Sequence, residues 1–248
     1  MTIPMRVLVW GENEHEQRHP DVRAVYPDTM HETIAAGLRG LLGESAVIDT
    51  ATFQDPEHGC SAERLAQADV LVWWGHLLHE EVDDRVVERV HAAVLAGLGL
   101  VVLHSGHLSK IFRRLLGTNC TLRVREAEDR ALVWTVAPAH PIAAGIPHPL
   151  VIATDEMYGE YFDVPEPETL VFITSFTGGE VVRSGMTWQR GHGRIFYFSA
   201  GHETHPVYHQ PAVQRVLANG AQWAQRTAQP GPGLDSCIES PHGWFAKA

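Results

Sequence analysis

Three apolar segments of the sequence each end in a Gly-His pair. They are Asp69–His76, Gly99–His107 and Arg194–His202. If these segments are parallel strands, their carboxyl ends meet at the sheet edge where ligands bind. Glycine lets the backbone bend there and lets a ligand approach closely. Imidazole is a common metal ligand and transfers protons near neutral pH. The pattern therefore predicts one histidine-lined site at this edge.

The site chemistry predicted first is a divalent metal held by imidazoles. His76, His107 and His202 come from the three Gly-His pairs, and His15 follows the first predicted strand, so it is the best fourth ligand. Such a site leaves a coordination position for water or a substrate oxygen. Zinc suits imidazole and carboxylate ligands best, with manganese, iron or nickel as alternatives. A metal-free acid–base site and a purely structural role for these histidines stay open.

Two glutamates flank Met157-Tyr158-Gly159 and are candidates for acid–base catalysis together with His107. Glu156 and Glu160 are four residues apart, so they would share a face if this stretch were one turn of helix. Paired carboxylates act as acid and base when their surroundings separate their pKa values. Tyr158 indicates packing near a ligand. The alternative is an acidic turn in solvent.

Other polar residues are weaker candidates. Lys110 and Arg183, with Tyr158, are expected to hold substrate oxygens. His79 and His104 are also weighed as site residues. Glu203, directly after His202, could orient an imidazole. Three glutamates beside His15 are expected to be mostly solvent-exposed: Glu12, Glu14 and Glu16.

The elements that must position these residues alternate between strand and helix over the first 110 residues. Strands are predicted at about 6–10, 46–51, 69–74, 100–104 and 194–199, and helices at about 31–42, 62–66, 82–96 and 212–225. Strands that are apolar throughout are typical of a parallel sheet covered by helices on both faces. Residues 119–176 contain many prolines and predict short strands and turns, as an insertion or as a β-rich extension of the same sheet. The predicted fold is an α/β protein with a mostly parallel sheet.

Composition narrows the class of protein. The 248 residues are 44% hydrophobic and carry a formal charge of −11, which argues against nucleic acid or an anionic membrane as partner. Three scattered cysteines give no disulfide framework and favour the cytoplasm. We predict one domain over residues 1–227 and a Pro/Gly-rich tail over 228–248. The sequence leaves homo-oligomerisation open.

Seven motifs, in order, resemble the ThuA-like (trehalose utilisation) family. They are Gly11–Glu16, Tyr26–His31, Trp73–His76, Leu103–Lys110, Glu156–Glu160, Gly178–Gly185 and Gly201–Pro206. The resemblance implies a flavodoxin-like sheet related to class I glutamine amidotransferases. It also implies a role in disaccharide breakdown after oxidation of the sugar to its 3-keto form. No nucleotide cofactor is expected.

The resemblance leaves the reaction open. Amidotransferases place a nucleophilic cysteine after this strand, but Leu103–His107 contains none. The reading we prefer is metal-assisted hydrolysis, elimination or isomerisation of a keto-sugar. One alternative is a non-catalytic sugar-binding or regulatory protein. Another is a serine hydrolase that uses Ser105.

Overall fold

The computed structural model describes residues 3–226, apart from the side chain of Ala127, and the predicted tail lies outside these residues. Within this range one sheet of nine strands has the order β2-β1-β3-β4-β9-β8-β7-β5-β6. The strands are β1 (Met5–Gly11), β2 (Ala46–Thr52), β3 (Val70–Trp74), β4 (Gly99–Leu103), β5 (Arg123–Thr135), β6 (Leu150–Gly159), β7 (Thr169–Phe176), β8 (Val181–Arg190) and β9 (Gly193–Phe198).

Seven α-helices connect and cover the strands in the described part of the chain. They are α1 (His15–Arg18), α2 (Pro20–Val25), α3 (Met30–Leu42), α4 (Ala62–Gln67), α5 (Asp84–Leu95), α6 (Lys110–Leu116) and α7 (Pro211–Ala224). Helix α3 packs against α7, and α5 packs against α6. Among the helices of residues 3–226, none has both the length and the apolar character that crossing a bilayer requires.

The sheet is mixed, so the prediction of a mostly parallel sheet is not confirmed. Strands β2, β1, β3, β4 and β9 run parallel to their neighbours, as predicted from their apolar sequences. Strands β8, β7, β5 and β6 add an antiparallel half beyond β9. Half of the strand pairings in residues 3–226 are therefore antiparallel, and these belong to the segment whose sequence lacks the strand–helix alternation.

The parallel half has the two-sided burial that its sequence predicts. Every residue of β3 and β4 is buried, because helices cover this part of the sheet. Gly99 begins β4 where a Cβ would collide with the carbonyl of Ala224 in α7. This close approach fixes α7 against the sheet. The predicted strands and helices of this half match the structure to within two or three residues.

The middle segment extends the same sheet, but its strands are long. We expected short strands, whereas β5 spans 13 residues and β6 spans 10. Prolines in this region lie in the connections between strands, where they remove no sheet hydrogen bond. The extension brings Asp155 of β6 within hydrogen-bond distance of the loop that follows β9, at 3.1 Å from the amide of Gly201.

Candidate active site

Four histidines meet where four adjacent parallel strands end. His15 begins α1 after β1, His76 follows β3, His104 follows β4 and His202 follows β9. The ring centroids of His15 and His76 are 5.0 Å apart, those of His76 and His202 5.9 Å, and those of His104 and His202 5.5 Å. The structure therefore brings together three of the four predicted ligands, together with His104.

The first subcluster consists of His15, His76 and Glu203. One donor atom from each lies within 4.8 Å of the others, as a shared cation would require. His15 Nε2 is 3.2 Å from Glu203 Oε1, and His202 Nε2 is 3.5 Å from the same oxygen. His15 Nδ1, His76 Nδ1 and Glu203 Oε2 are buried and have no hydrogen-bond partner among the residues that the structure describes. Buried polar atoms of this kind require an explanation, and a bound ion is one.

The protonation states of this subcluster suit metal binding. Burial, together with the neighbouring His76, lowers the pKa of His15 to about 4. Burial and the charge on His104 lower the pKa of His76 to about 4 and that of His202 to about 3. All three rings are therefore neutral at pH 7, which is the form that binds metals. Burial raises the pKa of Glu203 to about 7, so a cation would displace its proton readily.

The second subcluster consists of His104, Glu156 and His202. His104 Nε2 lies 3.2 Å from Glu156 Oε2 and 3.2 Å from the hydroxyl of Tyr158. His104 Nδ1 contacts the carbonyl of Ser199 at 2.8 Å, which fixes the ring. Tyr158 stacks on His104 with the ring centroids 4.6 Å apart. The predicted substrate residue Tyr158 is therefore buried beneath His104.

The His104–Glu156 pair has the opposite electrostatics. Burial alone would lower the pKa of His104, but the interaction with Glu156 and the charge of Asp155 raise it overall. Burial would raise the pKa of Glu156, but His104 lowers it overall. The pair thus favours an imidazolium beside a carboxylate. Groups whose surroundings separate their pKa values in this way are suited to acid–base chemistry.

His104 occupies a strained position at the turn after β4. Its φ is 46°, in the left-handed region that few side chains other than glycine and asparagine adopt. Tyr197 donates a hydrogen bond to its carbonyl at 3.1 Å. Such strain is found at functional sites, where the surrounding structure maintains it. The neighbouring Ser105 is buried, and its hydroxyl donates to the carbonyl of Gly75 at 2.9 Å.

Glu12 holds the loop that carries His76, so the expectation that it is solvent-exposed was wrong. Only 1% of Glu12 is exposed. Its carboxylate accepts hydrogen bonds from the amides of His76, Leu77 and Leu78 at 2.7, 2.9 and 3.0 Å. Glu14 and Glu16 are buried as well. The sequence signal was the position of Glu12 directly after a core strand.

Asp155, which sequence analysis missed, has the same role for the loop after β9. It is buried, and its carboxylate accepts hydrogen bonds from the amides of Gly201 at 3.1 Å and His202 at 3.1 Å. It also accepts one from the amide of Glu156 at 3.0 Å. Its position next to Glu156 was the available signal, but the contact with a loop 46 residues away exists only in the folded protein.

Glu160 and Arg183 lie outside the cluster and bind each other. The Arg183 guanidinium contacts the Glu160 carboxylate at 2.9 Å, and the amides of Phe162 and Arg183 donate to the same carboxylate. The predicted helical turn over residues 156–160 was wrong, because Leu150–Gly159 is a strand. Glu156 reaches His104, whereas Glu160 lies past the end of the strand.

Two further predicted residues are also held outside both subclusters. Lys110 Nζ lies 3.0 Å from the carbonyl of Val82 and 2.7 Å from Asp84 Oδ1. His107 is buried, and its Nδ1 contacts the carbonyl of Cys120 at 2.6 Å. Burial lowers the pKa of His107 to about 3, so the ring is neutral.

A cleft of about 550 Å³ opens onto the second subcluster. Glu156 and His202 lie at its base, and Glu126, Glu128, Thr204 and His205 complete its lining. Its volume fits a small polar ligand. The lining residues are carboxylates, imidazoles and one hydroxyl, and neither lysine nor arginine is among them.

Comparisons with known proteins agree on family and fold. The family model described as ThuA, trehalose utilisation, matches residues 6–224. A ThuA-like protein from Bacteroides uniformis is 16% identical, with a TM-score of 0.66 over 93% of this chain and 96% of that chain. A ThuA-like protein from Parabacteroides merdae is 18% identical, with a TM-score of 0.58 over 91% and 92%. A GMP synthase glutamine-amidotransferase-type protein from Thermoplasma acidophilum is 13% identical, with a TM-score of 0.52 over 90% and 94%. No curated protein matches the sequence.

Proposed function

This chain belongs to the ThuA family of trehalose utilisation proteins, and on that premise we propose that it is a metal-assisted enzyme acting on a keto-sugar. The observation that carries the proposal is the subcluster of His15, His76 and Glu203, whose buried donor atoms lack partners in the described chain. The family supports the carbohydrate role. The reaction class is hydrolysis, elimination or isomerisation.

The residues fit a divalent cation. Two neutral imidazoles and one carboxylate form a donor set that catalytic zinc sites use, with a position left for substrate. His202 lies beside the same Glu203 oxygen and is the fourth candidate ligand. Zinc is our first choice, with manganese, iron or nickel as alternatives. A cation held there would polarise a carbonyl oxygen and stabilise the negative charge that develops on it.

The His104–Glu156 pair handles protons in this proposal. A keto group acidifies the hydrogen on the neighbouring carbon, and Glu156 faces the cleft as a carboxylate that can accept it. His104 stabilises the carboxylate before transfer. The Ser199 carbonyl and the stacked Tyr158 keep the His104 ring in place, so its Nε2 remains directed at Glu156.

The cleft favours an uncharged substrate. Glu126 and Glu128 are exposed on its wall, and Glu156 carries a negative charge at its base. The nearest arginine in sequence, Arg125, is bound to Glu180 and Asp129. A phosphorylated sugar would meet like charges throughout. A neutral disaccharide or monosaccharide meets hydrogen-bond acceptors instead.

The test is the metal content of protein purified without an affinity tag or added metal. We expect about one equivalent in the wild type, retained in His192→Ala and lost in His76→Ala. His192 is an exposed histidine after β8, so it controls for loss of any histidine. Metal in neither the wild type nor a zinc-reconstituted sample would contradict the metal site. Sugar binding without metal or turnover would favour the non-catalytic alternative.

A further inference from the structure

Two buried carboxylates anchor the two loops that carry His76 and His202. Glu12 lies just after β1 and binds the loop after β3, whereas Asp155 lies in β6 and binds the loop after β9. Each carboxylate thus connects two strands that are distant in sequence. Each accepts hydrogen bonds from the backbone amide of the histidine itself.

These contacts are costly unless they serve a purpose. Removing a carboxylate from water is unfavourable, and backbone amides compensate for part of that cost. Glu12 accepts three backbone hydrogen bonds and is 1% exposed. A loop that only had to connect two elements would lie in solvent and need no buried acceptor. The arrangement fixes the backbone from which the His76 ring projects.

We propose that Glu12 and Asp155 are positioning residues that hold His76 and His202 in a geometry able to bind a metal. The inference rests on the proposed function for the metal, but not for the loop geometry. Imidazole ligands must be held within about 0.5 Å for tight binding. Groups outside the ligand set change metal affinity by about 10- to 100-fold when they are substituted.

The variants are Glu12→Gln and Asp155→Asn, with Glu160→Gln as the matched control. Glutamine and asparagine keep the size of the side chain but place an NH₂ group among amide donors. Glu160 also accepts backbone hydrogen bonds, from Phe162 and Arg183, but lies outside the cluster. Zinc affinity and the visible spectrum of the cobalt-substituted protein are the first two readouts.

We expect Glu12→Gln and Asp155→Asn each to bind zinc at least about tenfold more weakly and to shift the cobalt spectrum. Glu160→Gln should match the wild type in both. A purely structural role would lower the melting temperature without shifting the cobalt spectrum. Wild-type zinc affinity in both Glu12→Gln and Asp155→Asn would overturn the inference.

Amide hydrogen exchange separates this inference from the proposed function. In metal-free protein, Glu12→Gln should increase exchange in residues 76–78, and Asp155→Asn should do so in residues 201–202. Glu12→Asp provides a milder variant if Glu12→Gln does not fold. If the wild type bound no metal, the proposed function would fail, and local exchange would still decide the positioning role. Unchanged exchange in both loops would overturn it.

Discussion

His104 Nε2 lies 3.2 Å from Glu156 Oε2, although the two residues come from distant parts of the chain. His104 is fully buried, and Glu156 is 7% exposed. The strained turn after β4 places the ring, and the antiparallel strand β6 places the carboxylate. The parallel and antiparallel halves of the sheet therefore share this pair.

Substitution of Glu156 by Gln should destabilise the metal-free protein in a pH-dependent way. The pKa of His104 is raised above its ordinary 6.5, so its contribution is complete below pH 6.5 and is lost as pH rises through the folded value. The pKa of Glu156 is lowered from 4.5, so its contribution is present above that pH and is lost on acidification. We expect a loss of about 2 kcal/mol at about pH 5.5 that shrinks in alkaline buffer. Urea unfolding across pH checks this; a pH-independent difference would contradict it.

Glu160→Gln should lower stability and leave metal affinity unchanged. Burial would raise the pKa of Glu160, but Arg183 and two backbone amides lower it overall from 4.5. Its stabilisation is therefore present above pH 4.5 and lost as pH falls through the folded value. We expect a loss of about 1 kcal/mol at neutral pH, allowing for partial exposure. Urea unfolding and zinc titration measure the two effects, and a large loss of zinc affinity would return Glu160 to the site.

Gly201→Ala should disrupt the loop that carries His202. Gly201 has φ 129°, and a Cβ there would collide with the hydroxyl of Tyr208. The control is Gly179→Ala, where φ is 91° and no atom lies within 4 Å of the added Cβ. The control isolates backbone strain of about 1–3 kcal/mol, and Gly201→Ala should cost more because it adds a collision. Urea unfolding measures both, and equal losses would show that the loop relaxes around Tyr208.

The charge of the cleft wall should determine which sugars bind. We expect trehalose, or its oxidised form, to bind more tightly than trehalose 6-phosphate, because Glu126 and Glu128 repel the phosphate. Glu126→Lys with Glu128→Lys should narrow or reverse this preference, and the change should weaken with added salt. Calorimetric titration of both ligands is the measurement. A wild-type preference for the phosphorylated sugar would show that another surface binds it.

The histidine cluster was predictable because its residues follow apolar strands. A continuous apolar run ending in Gly-His predicts both a buried parallel strand and the edge at which it ends. His15, His76 and His202 were therefore found without coordinates. Glu203 and His104 were weighed only as neighbours, because sequence position does not show which side chains point inward at a turn.

The sequence by itself determined the parallel half of the sheet, the family and the edge that carries the histidines, because local periodicity and strand-end chemistry are properties of short segments. Only the tertiary structure decided that β5–β8 continue the sheet, that Glu156 pairs with His104 while Glu160 pairs with Arg183, and that Glu12 and Asp155 are buried anchors. Each of these depends on contacts between distant segments. The free energy of burying a carboxylate is set by the partners that the fold supplies, which a single segment does not contain.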